Sequence, residues 1–237
     1  MTGHMTGRVI TIDGPAGSGK STAARGVAKE LGLHTLDTGA MYRAVTLAAL
    51  QAGVDVADGL AVARIARDAQ IDLEDGLVRL DGRDVSAEIR GPEVTSAVSA
   101  VSSHPAVRAI LVAHQRAWID DRGGGVVEGR DIGTVVFPNA PVKVFLTARD
   151  DVRAVRRRLD EQAAAREIAV GEVRDALTAR DNADASLGRA LRPEDAARDA
   201  MIMDTTNTTV GDVVAAIVAR FREEADQISG ESTRGSA

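Results

Sequence analysis

Cysteine is missing from this sequence, which excludes a disulfide framework and any thiolate-bound metal centre. Long apolar runs are missing too, so no segment reads as a helix able to cross a bilayer, and the chain is expected to work in the cytoplasm with no membrane contact. An excess of positive charge is absent: the formal net charge is −6, which argues against a broad nucleic-acid surface while leaving room for a local cationic pocket that holds a phosphorylated metabolite. Lysine is scarce, with Lys20, Lys29 and Lys143 the three among 29 basic residues. Arginine bias is therefore chain-wide, and a single arginine means little unless a motif holds it. There is no internal repeat and no low-complexity block.

One lysine does sit in a motif. The short, β-branched run Val9, Ile10, Thr11, Ile12 reads as a buried strand of a parallel sheet. It leads into Gly14, Pro15, Ala16, Gly17, Ser18, Gly19, Lys20, Ser21 and Thr22, which fit the phosphate-loop pattern of a glycine, four residues, a glycine, a lysine and a serine or threonine. Glycines let backbone N–H groups form an anion nest, the following helix presents its positive end, and Lys20 adds a full charge. Ser21 supplies a hydroxyl suited to Mg2+. The competing reading, a ligand-free glycine turn, does not require this spacing.

Alternating strands and helices along 237 residues predict one α/β domain with insertions, a parallel sheet wrapped by helices. "GVVEG", "VKVFLT" and "AMIMDT" continue the sheet. Val107, Ile110, Leu111, His114 and Trp118 share one helical face, so His114 and Trp118 read as core or core edge. Val210, Val213, Val214, Ile217, Val218 and Phe221 form another such face. Residues 71–82, with an Asp75-Gly76 turn, read as an inserted hairpin, after which the chain returns to a helix near Pro105. Arg153, Arg156, Arg157 and Arg158 crowd one predicted helix beside Asp150, Asp151, Asp160 and Glu161, which also fits a solvated face.

A phosphotransferase needs a second site that delivers the acceptor. Residues just beyond strand ends line the ligand crevice of doubly wound sheets, and two fragments stand there: "DTGAMYR", with Thr38 and Arg43, and "EGRDIGT", with Arg130 and Asp131. Taken alone, the first also fits an N-capped helix start and the second a structural turn ion pair, the less favoured reading in each case.

Taken together, "IDGPAGSGKST", "LDTGAMYR", "LDGRDVSAEIR", "HPAVRAIL", "EGRDIGT", "KVFLTA" and "RDNAD" occur in an order and spacing that resemble the bacterial cytidylate kinases over roughly residues 8–222. The resemblance implies a P-loop NTPase three-layer sandwich with a central parallel sheet, an inserted nucleoside-monophosphate-binding region and a short lid. It places the core at 8–68, 105–148 and 176–225, the insertion at 69–104, the lid at 149–175 and flexible termini at 1–7 and 226–237. It implies ATP and Mg2+ as cofactors, CMP and dCMP as substrates, no nucleic-acid partner and a monomer.

Carried over position by position, the resemblance has Ser99, Arg108 and Asp131 read the cytosine and Arg43 and Arg130 hold the CMP phosphate, with Thr38 nearby. Arg180 and Asp184 match the sugar-side pair, Arg180 also lying near the transferred phosphate. The family's next phosphate arginine falls on Arg189, with Arg192 as the alternative, because "DASLGRALRPED" runs two residues longer than the family pattern. Arg153 and Arg157 match lid arginines, and Glu128 offers a carboxylate to the water shell of Mg2+. The catalytic group implied is Lys20, Arg130, Arg180, Arg153 and Arg157. Two other functions compete. A GTPase switch needs an Asn/Thr-Lys-x-Asp motif, in which none of the three lysines sits. A shikimate- or gluconate-type kinase shares the phosphate loop but does not require "GRDIGT" or "HPAVR".

Overall fold

Each of the five residues of the first strand is buried, as the β-branched run Val9 to Ile12 demands, and Asp13 is buried with them. The structure, a computed structural model, describes residues 8–74, 76–163, 178, 181–182, 184–185 and 192–234. Strands are β1 (Val9–Asp13), β2 (Thr35–Asp37), β3 (Ile71–Glu74), β4 (Leu77–Leu80), β5 (Arg83–Asp84), β6 (Gly125–Gly129), β7 (Val142–Thr147) and β8 (Met201–Asp204). Helices are α1 (Lys20–Leu31), α2 (Thr38–Gln51), α3 (Gly59–Asp68), α4 (Pro92–Ser103), α5 (Pro105–Arg122), α6 (Asp150–Ala163) and α7 (Val210–Arg234). They fall into two compact units, one of residues up to Leu33 together with those from Gly123 onward, the other His34–Arg122.

In the first unit, β6, β1, β7 and β8 run parallel in that spatial order. The central strand, β1, sets Thr11 between Val127 and Lys143 and Asp13 between Gly129 and Phe145. Ile10, Ile12, Val126, Val144 and Leu146 from the sheet pack with Val27 of α1 and Val213, Ile217 and Val218 of α7. That burial drives the layers together. The α7 face matches the sequence expectation except at its first residue, Val210, which is 52% exposed. The helix runs to Arg234, past the polar residues expected to form a tail. No proline interrupts it, and Arg220 pairs with Glu223 and Glu224 one turn on, an arrangement that favours continuation.

The His34–Arg122 unit contains α2 to α5 and an antiparallel sheet, β3–β4–β5. The expected hairpin is present, its turn carried by Gly76 at φ +86°. Residues 69–104, expected as an insertion, lie within this unit. Helix α4 goes unrecognised in the sequence because its serines and threonine mask the pattern, yet Pro92 stands in its first turn and Val94, Val98 and Val101 are buried at helical spacing. A 96° bend separates α4 from α5. The buried face of α5 is Val107, Leu111, Gln115, Trp118 and Ile119, which corrects the expected stripe by putting Gln115 and Ile119 inside while His114 is half-buried. Trp118 is core edge as expected: its indole N–H donates to the Leu73 carbonyl at 3.3 Å, and Arg122 lies 4.1 Å from the ring centre. Among the described residues, no single helix is long and apolar enough to cross a membrane.

Candidate active site

The phosphate loop is held open by its own backbone. Gly14 has φ +143°, and a Cβ there would collide with the Leu146 carbonyl, so only glycine fits at the end of β1. Helix α1 then begins at Gly19 with no side-chain cap and no acidic residue in its first turn. Its positive end is thus not compensated from within the helix, which suits an anion. Lys20 Nζ donates to the Pro15 carbonyl at 2.9 Å, so the ammonium is folded back onto the loop. Ser21 Oγ donates to Glu128 Oε2 at 2.9 Å. Serine hydroxyl and buried carboxylate make a hard-oxygen pair of the kind Mg2+ and its waters prefer.

Two arginines grip the same loop. Arg130 Nη1 donates to the Gly14 carbonyl at 3.3 Å, and its other terminal nitrogen lies 3.2 Å from Asp184. Arg153 donates to the Ala16 carbonyl at 3.0 Å, to Asp181 at 2.8 Å and to Asp150 at 2.7 Å. Asp181 also stands 3.8 Å from Arg130, so one carboxylate serves both arginines. Burial works against the charge on Arg153, but Asp150 and Asp181 outweigh it and hold its pKa above the ordinary arginine value. In this structure Arg153, expected as a lid arginine, is 7% exposed and braces the loop. Arg157, one turn further along α6, is half-buried.

Asp13, the last residue of β1, is, like Asp181, a charged group that sequence reasoning missed in this region. Its carboxylate accepts the Ile132 and Gly133 N–H groups, each at 2.8 Å. Burial pushes its carboxyl up to about 6, helped by the nearby Asp131 and opposed by the two N–H groups and by Lys20. A carboxyl raised in the folded state favours the protonated fold, so its contribution to stability is present below the unfolded value near 3.8 and is lost as pH rises through 6. The signal available in the sequence was a lone acid ending an apolar strand, "VITID".

In the other unit, Asp37 caps α2 by accepting the Ala40 N–H at 3.1 Å, which presents Thr38, buried, at the helix start. Arg43 is buried, and its Nη1 donates to the Ile89 carbonyl at 3.1 Å and to Thr95 Oγ1 at 2.9 Å. Thr95 was not singled out in the sequence, since it belongs to the unrecognised α4. Ser99 is half-buried on α4, its carbonyl accepting from Ser102 Oγ at 3.2 Å. Arg108, in the first turn of α5, donates its N–H to the His104 carbonyl at 3.0 Å. Arg180 and Arg189 lie outside the described residues. Arg192 is exposed and 4.0 Å from Glu194.

A glycine-rich loop whose carbonyls hold one lysine and two arginines is suited to gather negative charge, and with a parallel sheet behind it this is the architecture of a P-loop phosphotransferase. The family is narrower than that. A family model described as cytidylate kinase matches residues 10–223. The sequence is 47% identical over 224 residues to the cytidylate kinase of Mycobacterium leprae, covering 94% of this chain and all of that one. It is 51% identical over 215 residues to the cytidylate kinase of Mycobacterium avium, covering 87% and 91%. The chain belongs to the cytidylate kinase family, as the order of its motifs implies, and its activity is that of the family, phosphorylation of CMP and dCMP. An uncharacterized protein from Eubacterium ventriosum superposes with a TM-score of 0.50 at 10% identity, over 91% of this chain and 98% of that one, a likeness of fold.

Proposed function

We propose that ATP, bound on the loop Gly14 to Thr22, donates its γ-phosphoryl group directly to the phosphate of CMP or dCMP, with Lys20, Arg130, Arg153, Arg157 and Arg180 supplying positive charge. The observation that carries this reading is the clustering of Lys20, Arg130 and Arg153 on the carbonyls of Pro15, Gly14 and Ala16. No general base is required: the second pKa of a phosphate monoester is about 6, so the acceptor oxygen is already largely ionised at neutral pH. Repulsion between acceptor and triphosphate is the obstacle, and fixed cations are its remedy.

Ser21 and Glu128 are the residues that would hold Mg2+, Ser21 through its hydroxyl and Glu128 through the metal's waters. The ion would neutralise charge on the phosphates. Arg43 and Arg130 hold the CMP phosphate, with Thr38 beside it, while Asp184 and Arg180 take the sugar and Arg189 reaches the phosphate. Ser99, Arg108 and Asp131 read the base. Cytosine offers an amino donor beside its N3 acceptor, whereas uracil reverses both, so a carboxylate paired with a donor selects cytosine. Sites built on buried hydrogen bonds reject a mispaired analogue by roughly 10² to 10⁴. The protein acts as a cytoplasmic monomer that binds neither nucleic acid nor membrane. ADP release measured with ATP, Mg2+ and each of CMP, dCMP, UMP, AMP, GMP and shikimate tests the reading. CMP and dCMP should exceed every other acceptor by roughly a hundredfold or more; comparable rates with UMP or shikimate would overturn it.

A further inference from the structure

The turn after β6 is capped from another strand. Asp131 occupies its N-cap position, where an aspartate ordinarily folds back onto the first N–H groups of its own helix, yet its side chain makes no capping bond. Asp13 takes those groups instead, Oδ1 accepting from Ile132 and Oδ2 from Gly133, both at 2.8 Å. A carboxylate is the side chain that offers two acceptor oxygens side by side. The turn, Ile132–Val136, is π-helical, a rare, wide form frequent at functional sites. Gly133 sits so close that a Cβ would come within 2.9 Å of Thr11 Oγ1 and 3.4 Å of Asp13 Oδ2. On the other side of the segment, the Arg130 guanidinium rests on the carbonyl of Gly14, the residue after Asp13. The dipeptide Asp13-Gly14 therefore fixes both the Arg130 side chain and the backbone that follows Asp131.

We infer that Asp13 is a positioning residue for the acceptor nucleotide: by capping Ile132 and Gly133 it sets the backbone from which Arg130 and Asp131 meet CMP. This rests on the roles proposed above for those two residues. Keeping a carboxylate in that place opposes its own solvation, since the strand end is buried and Asp131 adds like charge, with Lys20 as the compensating cation. An amide of the same shape would lift that burden but offers one acceptor atom where the two N–H groups here use two. Because Asp13 immediately precedes Gly14, a competing role is to shape the ATP loop alone. The two roles differ in which substrate suffers.

The test compares Asp13→Asn, which keeps one acceptor and turns an NH2 against the second N–H, with Gly133→Ala, which keeps the carboxylate and pushes the turn away. Two readouts are taken on the purified full chain: the amide resonances and hydrogen exchange of Ile132 and Gly133, and kinetics with CMP and UMP beside binding of a fluorescent ATP analogue. The inference expects at least one of the two amides to lose protection in Asp13→Asn. It also expects kcat/KM for CMP to fall about tenfold or more with a narrowed CMP-to-UMP ratio, and ATP-analogue affinity to change by less than about threefold. Gly133→Ala should give the same split, and it decides the matter if Asp13→Asn does not fold. Unchanged amides, an unchanged CMP-to-UMP ratio, or ATP affinity falling as far as kcat/KM for CMP would overturn it. Arg130→Ala and Asp131→Ala, run alongside, separate the failures. If they leave the CMP parameters intact, the roles given to those residues fall and the inference with them; if they lose CMP while Asp13→Asn does not, the inference alone falls.

Discussion

Two arginines, one in each unit, are held by the same device with different reach. Arg130 rests on the carbonyl of Gly14, a residue of the phosphate loop itself, while Arg43 rests on the Ile89 carbonyl and Thr95 Oγ1, which belong to a turn and a helix far along the chain. In the first case the loop carbonyls gather cations: Lys20 on Pro15 and Arg153 on Ala16 follow the same rule. These cations stand on the loop carbonyls, with Arg153 braced by Asp150 and Asp181 and Arg130 by Asp184, so the positive charge is preorganised for an incoming anion. In the second case the arginine is buried and positioned by packing of α4 against α2, so its geometry depends on the core of its unit. Damage to the loop should therefore appear in the rate, and damage around Arg43 in the affinity for the acceptor.

The largest effect that sharpens this contrast is expected at Lys20. Lys20→Ala should lower kcat by a hundredfold or more, about 3 kcal/mol of lost stabilisation of charge on the β- and γ-phosphates, with a melting temperature close to that of the parent. Near-normal turnover in a folded variant would remove Lys20 from the chemistry. A smaller effect is expected at Thr95. Thr95→Val deletes one hydrogen-bond partner of the buried Arg43 guanidinium and leaves the Ile89 carbonyl, a change worth about 1 kcal/mol. KM for CMP should rise about fivefold while kcat changes little; a loss confined to kcat would mean that Arg43 acts on the transferring phosphate, erasing the distinction between the two regions.

What the sequence made legible follows the same division. "VITIDGPAGSGKST" is local: strand, turn and helix start are written in consecutive residues, and Lys20, Ser21 and the loop glycines could be read directly. Arg43, Arg130 and Asp131 could be placed after their strands because an α/β sheet puts such residues near its ligand. Asp13 and Asp181 could not, since their partners are Ile132 and Gly133 in one case and Arg130 and Arg153 in the other. No periodicity connects positions that far apart. Helix α4 was hidden by composition, its buried valines diluted by serines that favour caps and turns. The hold of Arg153 on the Ala16 carbonyl was likewise not legible, because an arginine four residues from Arg157 on one helix says nothing about which of the two turns inward.

Asp131, the carboxylate placed beyond β6 next in sequence to the arginine that rests on Gly14, is the proposed reader of the base. The most direct test measures kcat/KM for CMP and UMP in the parent and in Asp131→Ala. The parent should prefer CMP by roughly 10² or more. In the variant the CMP value should fall much further than the UMP value and narrow the ratio, because both the attraction for the cytosine amino group and the repulsion of the uracil oxygen are lost. Equal losses on the two substrates would contradict the account and leave Asp131 as a structural residue of its turn.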